Sequence, residues 1–208
     1  MKKSMCITYV VEGKLYVNIT NRCSNRCEFC IRNNGDGAYG SDSLWLEREP
    51  TCEEILDSVF SRDLNVFPEL VFCGYGEPTY RLDDAVFIAK EVKKKYPSIK
   101  IRINTNGHSD LILRRDTAPE YEGAFDIVSI SLNAPDDQKY QQICHPIFGE
   151  EILDVIFSFA ARVKDYVPVV QFSVVKETLT SDEITLCEQI SRALGVSLRV
   201  RDYIGPES

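Results

Sequence analysis

Short runs rich in Val and Ile alternate with segments of helical period along nearly the whole chain, and this alternation restricts the fold more than any other feature. Extended runs fall at residues 15–20, 69–73, 99–103, 125–132, 167–175 and 197–201. Strands of that composition, separated by helices, form a parallel sheet covered by helices. Six such strands are too few for an eight-fold barrel. The reading is therefore an α/β fold, an incomplete and curved (βα)6 barrel (a partial TIM barrel) with parallel strands. No repeat, low-complexity segment or linker interrupts it, so residues 1–208 read as a single domain.

The helices carry their own punctuation. Thr51 caps one and Glu54 completes a capping box, with Ile55, Leu56, Val59 and Phe60 on its inner face. Leu82, Ala85, Val86, Ala89 and Val92 recur at helical spacing, and Pro97 ends that segment. A short helix is expected around 109–116, then helical pattern at 136–143 and 149–164. Thr180 to Glu183 cap the last helix, which carries Ile184, Cys187, Ile190 and Leu194, and Gly195 suits its carboxyl cap.

Directly after the first strand comes Cys23-Ser-Asn-Arg-Cys27-Glu-Phe-Cys30, three cysteines spaced four and then three apart. Three thiolates on one tight loop suit three corners of an iron–sulfur cube. No fourth cysteine follows nearby, so one iron would stay open to an outside ligand, whereas most such clusters fill all four positions. Structural zinc is the competing reading, although Cys52, His108 and Cys144 supply no second pair. Spacing alone leaves both open, along with three unrelated thiols. The glycine- and asparagine-rich stretch from Asn33 to Asp42 extends this loop and suits close folding around a ligand.

The net charge of −8, from 32 acidic and 24 basic residues, argues against non-specific nucleic-acid binding. The run Lys93 to Lys95 reads as the wet face of a helix. Neither a secretory leader nor a stretch of about 20 apolar residues is present, which reads as a cytoplasmic protein without a membrane span. In that compartment clustered cysteines are metal ligands rather than disulfides. Cys6, Cys52, Cys73 and Cys187 read as small buried hydrophobes.

In parallel sheets and barrels, active sites sit at the carboxyl ends of the strands. Those ends read, in turn, as the cysteine loop, Gly74-Tyr-Gly-Glu-Pro78, Asn104-Thr-Asn-Gly107, Ser131-Leu-Asn133 and Ser173-Val-Val-Lys176. Each alone has a bland explanation as a turn or a cap. Their agreement on the rim that holds the cysteines is harder to dismiss. The glycines of the second turn let a ligand approach the backbone closely, which makes it a cradle for an amino-acid moiety.

With these motifs in place the chain resembles the radical S-adenosylmethionine superfamily, over nearly its whole length. More narrowly, Asn18-Ile-Thr-Asn-Arg-Cys23, Phe72-Cys-Gly-Tyr-Gly-Glu-Pro-Thr79, Arg102-Ile-Asn-Thr-Asn-Gly-His108 and Val128-Ser-Ile-Ser-Leu-Asn-Ala-Pro135 are similar to the TatD-associated radical SAM proteins. The resemblance implies that Cys23, Cys27 and Cys30 hold a 4Fe-4S cluster whose open iron takes the amino and carboxylate groups of S-adenosylmethionine. It implies Phe29 near the adenine, and Gly74, Tyr75, Gly76 and Glu77 around the methionine amino group. Asn104, Ser131 and Asn133 complete the rim, the latter two toward ribose or carboxylate, while Ser173, Val175 and Arg201 lie on strands flanking the adenine. Tyr75 departs from the usual pattern, which has two glycines before the glutamate.

The implied activity is reductive cleavage of S-adenosylmethionine to a deoxyadenosyl radical, which abstracts hydrogen from a small molecule such as a nucleoside. A flavodoxin or ferredoxin type reductant is implied as electron donor. Two other readings compete: an activase that makes a glycyl radical in a partner protein, and a non-catalytic iron–sulfur partner of a TatD-type hydrolase. Candidates for substrate contact are Arg32, Asn106, His108, Arg114, Arg115, His145, Lys176 and Arg201, each with a structural role as the competing explanation. Trp45 is expected to pack against the cysteine loop.

Overall fold

The computed structural model describes residues 2–205. Among these, the strands are β1 (Thr8–Val11), β2 (Lys14–Val17), β3 (Glu69–Phe72), β4 (Lys100–Thr105), β5 (Ile127–Ser131), β6 (Val169–Val175) and β7 (Ser197–Arg201). The helices are α1 (Cys52–Phe60), α2 (Leu82–Lys95), α3 (Ser109–Leu113), α4 (Asp137–Cys144), α5 (Leu153–Val163) and α6 (Ser181–Leu194). The strands lie in the order β1 to β7, parallel from β2 onward, and the sheet stays open between its two edges.

The sequence reading of six strands misses β1, which pairs antiparallel with β2. Glu12 and Gly13 both take positive φ, 48° and 72°, giving the two-residue hairpin turn that matches strand twist. The first parallel strand also ends earlier than expected, at Val17 rather than Thr20. Asn18 turns away because its side chain is engaged, donating to the carbonyls of Cys6 and Leu44. Both expected capping boxes form, Thr51 with Glu54 and Thr180 with Glu183. Gly195 ends α6 at φ 64°, in the left-handed region glycine tolerates.

Alternation along the strands separates two environments. Leu15, Val17, Leu70, Phe72, Ile101, Ile103, Val128, Ile130, Phe172 and Val174 face outward and pack against the inner faces of α1, α2 and α5. The residues between them face the barrel's interior, and most of these are polar: Tyr16, Arg102, Asn104, Ser129, Ser131, Gln171, Ser173, Arg199 and Arg201. Apolar burial of roughly 25 cal/mol per Å² therefore acts on the helix side, and the lumen is left free for chemistry. At its amino-terminal end Arg102 pairs with Glu69 at 3.2 Å. No helix among the described residues is long and apolar enough to cross a membrane.

The gap between the sheet's edges is spanned by residues 31–45. On the β1 side, Ala38 and Leu44 pack with Tyr9, Val11 and Tyr75. On the β7 side, the Asn34 amide donates to the Ile204 carbonyl at 2.5 Å, and the Tyr203 hydroxyl donates to Asn34 Oδ1 at 3.4 Å.

Candidate active site at the carboxyl rim

The cysteine loop is fixed by the residues between its cysteines. Ser24 Oγ lies 3.0 Å from His108 Nδ1 and accepts from the Asn106 amide at 2.7 Å. Asn25 donates to the Tyr140 hydroxyl at 2.8 Å, and that hydroxyl lies 3.2 Å from His108 Nε2. The backbone N–H groups of Arg26 and Glu28 donate to the carbonyls of Cys144 and Ile143, at 2.9 and 3.0 Å, so the last turn of α4 also carries the loop. With these neighbours engaged, the three cysteines form no disulfide and all line one cavity.

His108 thus lies beneath the rim rather than on it. It is fully buried, and loss of water drives its pKa down to about 3, so the ring is neutral. No local pattern marks this, because its partners lie 84 and 32 residues away. Of the other substrate candidates, Arg115 is spent on Glu120 and Asp83 at the surface, and Arg32 donates to the Asn25 carbonyl. Arg114 and His145 end α3 and α4 in left-handed conformations. Only Asn106 and Arg201 of that group line the cavity.

The glycine turn has a second reason for its glycines. A Cβ on Gly74 would sit 2.1 Å from Asn18 Oδ1, and one on Gly76 would sit 2.3 Å from the Thr20 carbonyl oxygen. The turn and the root of the cysteine loop therefore touch backbone to backbone, and Glu77 N–H donates to the Arg22 carbonyl at 2.7 Å. Glu77 itself is buried. Its Oε1 accepts from Thr79 N–H and from the hydroxyls of Thr79 and Thr105, and its Oε2 accepts from Asn106 N–H at 2.8 Å. Burial raises its pKa, against the opposing pull of these hydrogen bonds. The carboxylate joins the turns after β3 and β4 and keeps acceptor capacity on Oε2 toward the cavity.

Tyr75, the departure from the two-glycine pattern, is buried. Its hydroxyl donates to the carbonyls of Gly35 and Gly37 at 3.0 and 2.9 Å, and its ring meets Trp45 edge-on at 5.1 Å. The extra side chain therefore pins the long loop after the third cysteine. Trp45 packs there as expected.

The structure brings all the cofactor and metal residues read from the sequence onto this one cavity, unlike most of the substrate candidates. Cys23, Cys27, Phe29 and Cys30 line one side; Gly74, Tyr75, Gly76, Glu77 and Asn104 follow; Ser131, Asn133, Ser173, Val175 and Arg201 close the ring. Tyr9, Tyr16, Asn25 and Arg199 also line it, and sequence reasoning missed them. Cys73 corrects another expectation: it lines the cavity, while Cys6 and Cys52 are half-buried and only Cys187 of that group is in the core.

The donor set fits a thiolate-bound cluster. Burial pushes Cys23 up to about 12 and raises Cys30, while a hydrogen bond with Cys144, then burial, raises Cys27. Thiols so placed ionise only against the positive charge of a bound metal. Four polar atoms around the same cavity lie buried without a protein partner: Asn25 Oδ1, Asn104 Oδ1, Asn133 Oδ1 and Arg201 Nε. Buried polar groups are nearly always paired, so this wall suits a polar ligand.

An open barrel that keeps three cysteines, none in a disulfide, on its carboxyl rim is an architecture suited to holding a metal cluster. The chain belongs to the Radical SAM superfamily, whose family model matches residues 17–189. Members of that superfamily are enzymes, and their cofactors are a 4Fe-4S cluster and S-adenosylmethionine. Among curated proteins it is similar to GTP 3',8-cyclase of Staphylococcus aureus (strain JH9), 30% identical over 134 residues, 62% of this chain and 36% of that one. The chain therefore spans about a third of the length of the curated relatives it matches. Among solved structures it resembles Streptococcus suis SuiB bound to precursor peptide SuiA, with TM-score 0.66, 16% identity, and coverage of 91% of this chain and 39% of that one. It also resembles a radical SAM methyltransferase from Sphaerobacter thermophilus, with TM-score 0.60, 18% identity, and coverage of 96% and 70%. At these identities the likeness is one of fold.

Proposed function

We propose that this chain reductively cleaves S-adenosylmethionine and directs the resulting radical at a small molecule, with a flavodoxin or ferredoxin type protein as electron donor. The observation that carries this is the cysteine loop, whose polar neighbours are engaged while its three cysteines line a cavity walled by unpartnered polar atoms. When bound, the cluster with S-adenosylmethionine supplies one-electron cleavage of the sulfonium to methionine and a deoxyadenosyl radical. Cys23, Cys27 and Cys30 hold the cluster. The backbone of Gly74 to Gly76 and Glu77 Oε2 receive the methionine ammonium. Asn104, Ser131 and Asn133 orient the ribose and carboxylate; Phe29 and Val175, with Ser173, bracket the adenine.

A nucleoside or nucleotide substrate is favoured by the similarity to a protein named as a GTP cyclase. A peptide substrate is the second reading, favoured by the likeness to SuiB in complex with a peptide. The motif likeness to TatD-associated proteins supports a TatD-type hydrolase as a functional neighbour. Anaerobic reconstitution with iron and sulfide, followed by dithionite and S-adenosylmethionine, tests the core of this: deoxyadenosine and methionine are expected in equal amounts, and their absence sinks it.

A further inference from the structure

Among the described residues seven arginines sit against carboxylates (Arg22, Arg48, Arg81, Arg102, Arg115, Arg162 and Arg192), while Arg26, Arg32, Arg62 and Arg114 form no ion pair and do not line the cavity. In a protein with a net charge of −8 such pairing is the ordinary outcome. Arg199 and Arg201 are different. They occupy successive inward positions of β7, opposite Ser173 and Val175 of β6, and both line the cavity. Among the described residues neither forms an ion pair, and Arg201 Nε is buried with no partner.

Residues two apart on one face of a strand lie ~7 Å from each other, so the two guanidinium groups repel. The cavity's own acids do not relieve them. Glu77 is engaged by four hydrogen bonds, and Asp202, the next residue on β7's trailing end, lines the cavity without pairing to either arginine. Glu69, deeper in the lumen, is held by Arg102 and Lys14. Desolvation pulls the Arg201 pKa down, and the neighbouring Arg199 adds to that pull. Two positive groups kept together at a partly dry wall, with donors unspent, match the planar fork that arginine presents to carboxylate or phosphate.

We propose that Arg199 and Arg201 form the anion-binding end of the substrate pocket, so that the substrate is a small molecule bearing a carboxylate or phosphate. This rests on the radical-enzyme reading above and names its substrate class. Cys30 and Arg201 line the same cavity, so an anion held on β7 places the rest of its molecule in the space shared with the cysteine loop. Tyr39 and Tyr203 line the same cavity and supply aromatic surface for a planar body. Arg201 then contacts substrate rather than the adenine, and Arg199 shares the load.

The test uses the full chain, reconstituted anaerobically, with pyrophosphate and succinate as probes and uncharged guanosine as the control. Phenylglyoxal modification of individual arginines is followed by peptide mapping, and probe affinity by calorimetry. Either anion is expected to protect Arg199 and Arg201, and the one acting at lower concentration names the group as phosphate or carboxylate. Arg201→Gln is expected to weaken the better anion by about tenfold or more, with Arg201→Lys keeping part of it. Arg199→Gln, at an exposed position, gives a second reading should Arg201→Gln not fold. S-adenosylmethionine affinity is expected to change less than anion affinity in both. No protection by either anion overturns the proposal, as does a loss confined to S-adenosylmethionine affinity, which assigns these arginines to the cofactor. If the wild type protects the arginines but makes no deoxyadenosine, the radical reading fails while the anion site stands.

Discussion

On the cysteine side of the cavity the polar side chains answer one another: Ser24 with His108 and Asn106, Asn25 with Tyr140, Glu77 with Thr79, Thr105 and Asn106. On the β7 side, Arg199 and Arg201 answer to nothing among the described residues. The contrast separates two jobs. Internal hydrogen bonds fix a geometry that must be the same every turnover, because a metal cluster tolerates little displacement of its ligands. A wall left unpaired is one whose partner comes from outside.

The largest effect should follow from Cys27→Ala, which removes one of the three proposed cluster ligands: iron content and the cluster's visible absorbance are expected to collapse and deoxyadenosine formation to vanish. Gly76→Ala tests the backbone contact beneath the loop. Its Cβ would press on the Thr20 carbonyl, which cannot swing aside as a side chain would, so a loss of about 1–3 kcal/mol in chemical denaturation is expected, with poorer cluster loading.

His108 tests whether the woven side is tuned to neutrality. Its folded pKa, about 3, lies below the ordinary 6.5, so the unfolded chain binds its proton first as the pH falls. The stability it lends is complete above pH 6.5 and is lost on descending toward pH 3, at up to ~1.4 kcal/mol per unit. Denaturation midpoints measured across that window should fall more steeply for wild type than for His108→Gln; equal slopes would contradict the burial.

A smaller change is expected from Tyr75→Phe, which deletes the hydroxyl bonds to Gly35 and Gly37 at a cost of about 1 kcal/mol. Faster hydrogen exchange between residues 34 and 44 would register it. Smallest of all, Arg199→Gln should leave stability within ~0.5 kcal/mol, or raise it slightly by removing a repulsion. A large destabilisation there would mean that β7 is as internally committed as the cysteine loop, and the comparison would break.

What was legible in the sequence follows the same division. The alternation of strands and helices, both capping boxes and the cysteine spacing are local patterns, and each fixed its element. The site residues could be collected because one topological rule, activity at the carboxyl ends of parallel strands, places many turns at once. Three things escaped. The β1–β2 hairpin was hidden in Val11-Glu-Gly-Lys14, a turn signal weaker than Asn-Gly or Asp-Gly. The burial of His108 depends on Ser24 and Tyr140, distant in the chain and close only after folding. Tyr75 was visible as an exception, yet its purpose lies in the carbonyls of Gly35 and Gly37, which no periodicity marks. Arg199 could have been found, since the strand's two-residue period carries the lumen face from Arg201 to it.

The span of residues 31–45 across the sheet's open side has a mechanical consequence. Elsewhere around the lumen, neighbouring strands are stitched by rows of main-chain bonds, and widening the wall would break a row at once. Along this seam, among the described residues, the β7 side is held by Asn34 through single hydrogen bonds to Tyr203 and Ile204. This stave is therefore expected to yield first when the bore adjusts to a cargo, while the stitched staves keep their shape.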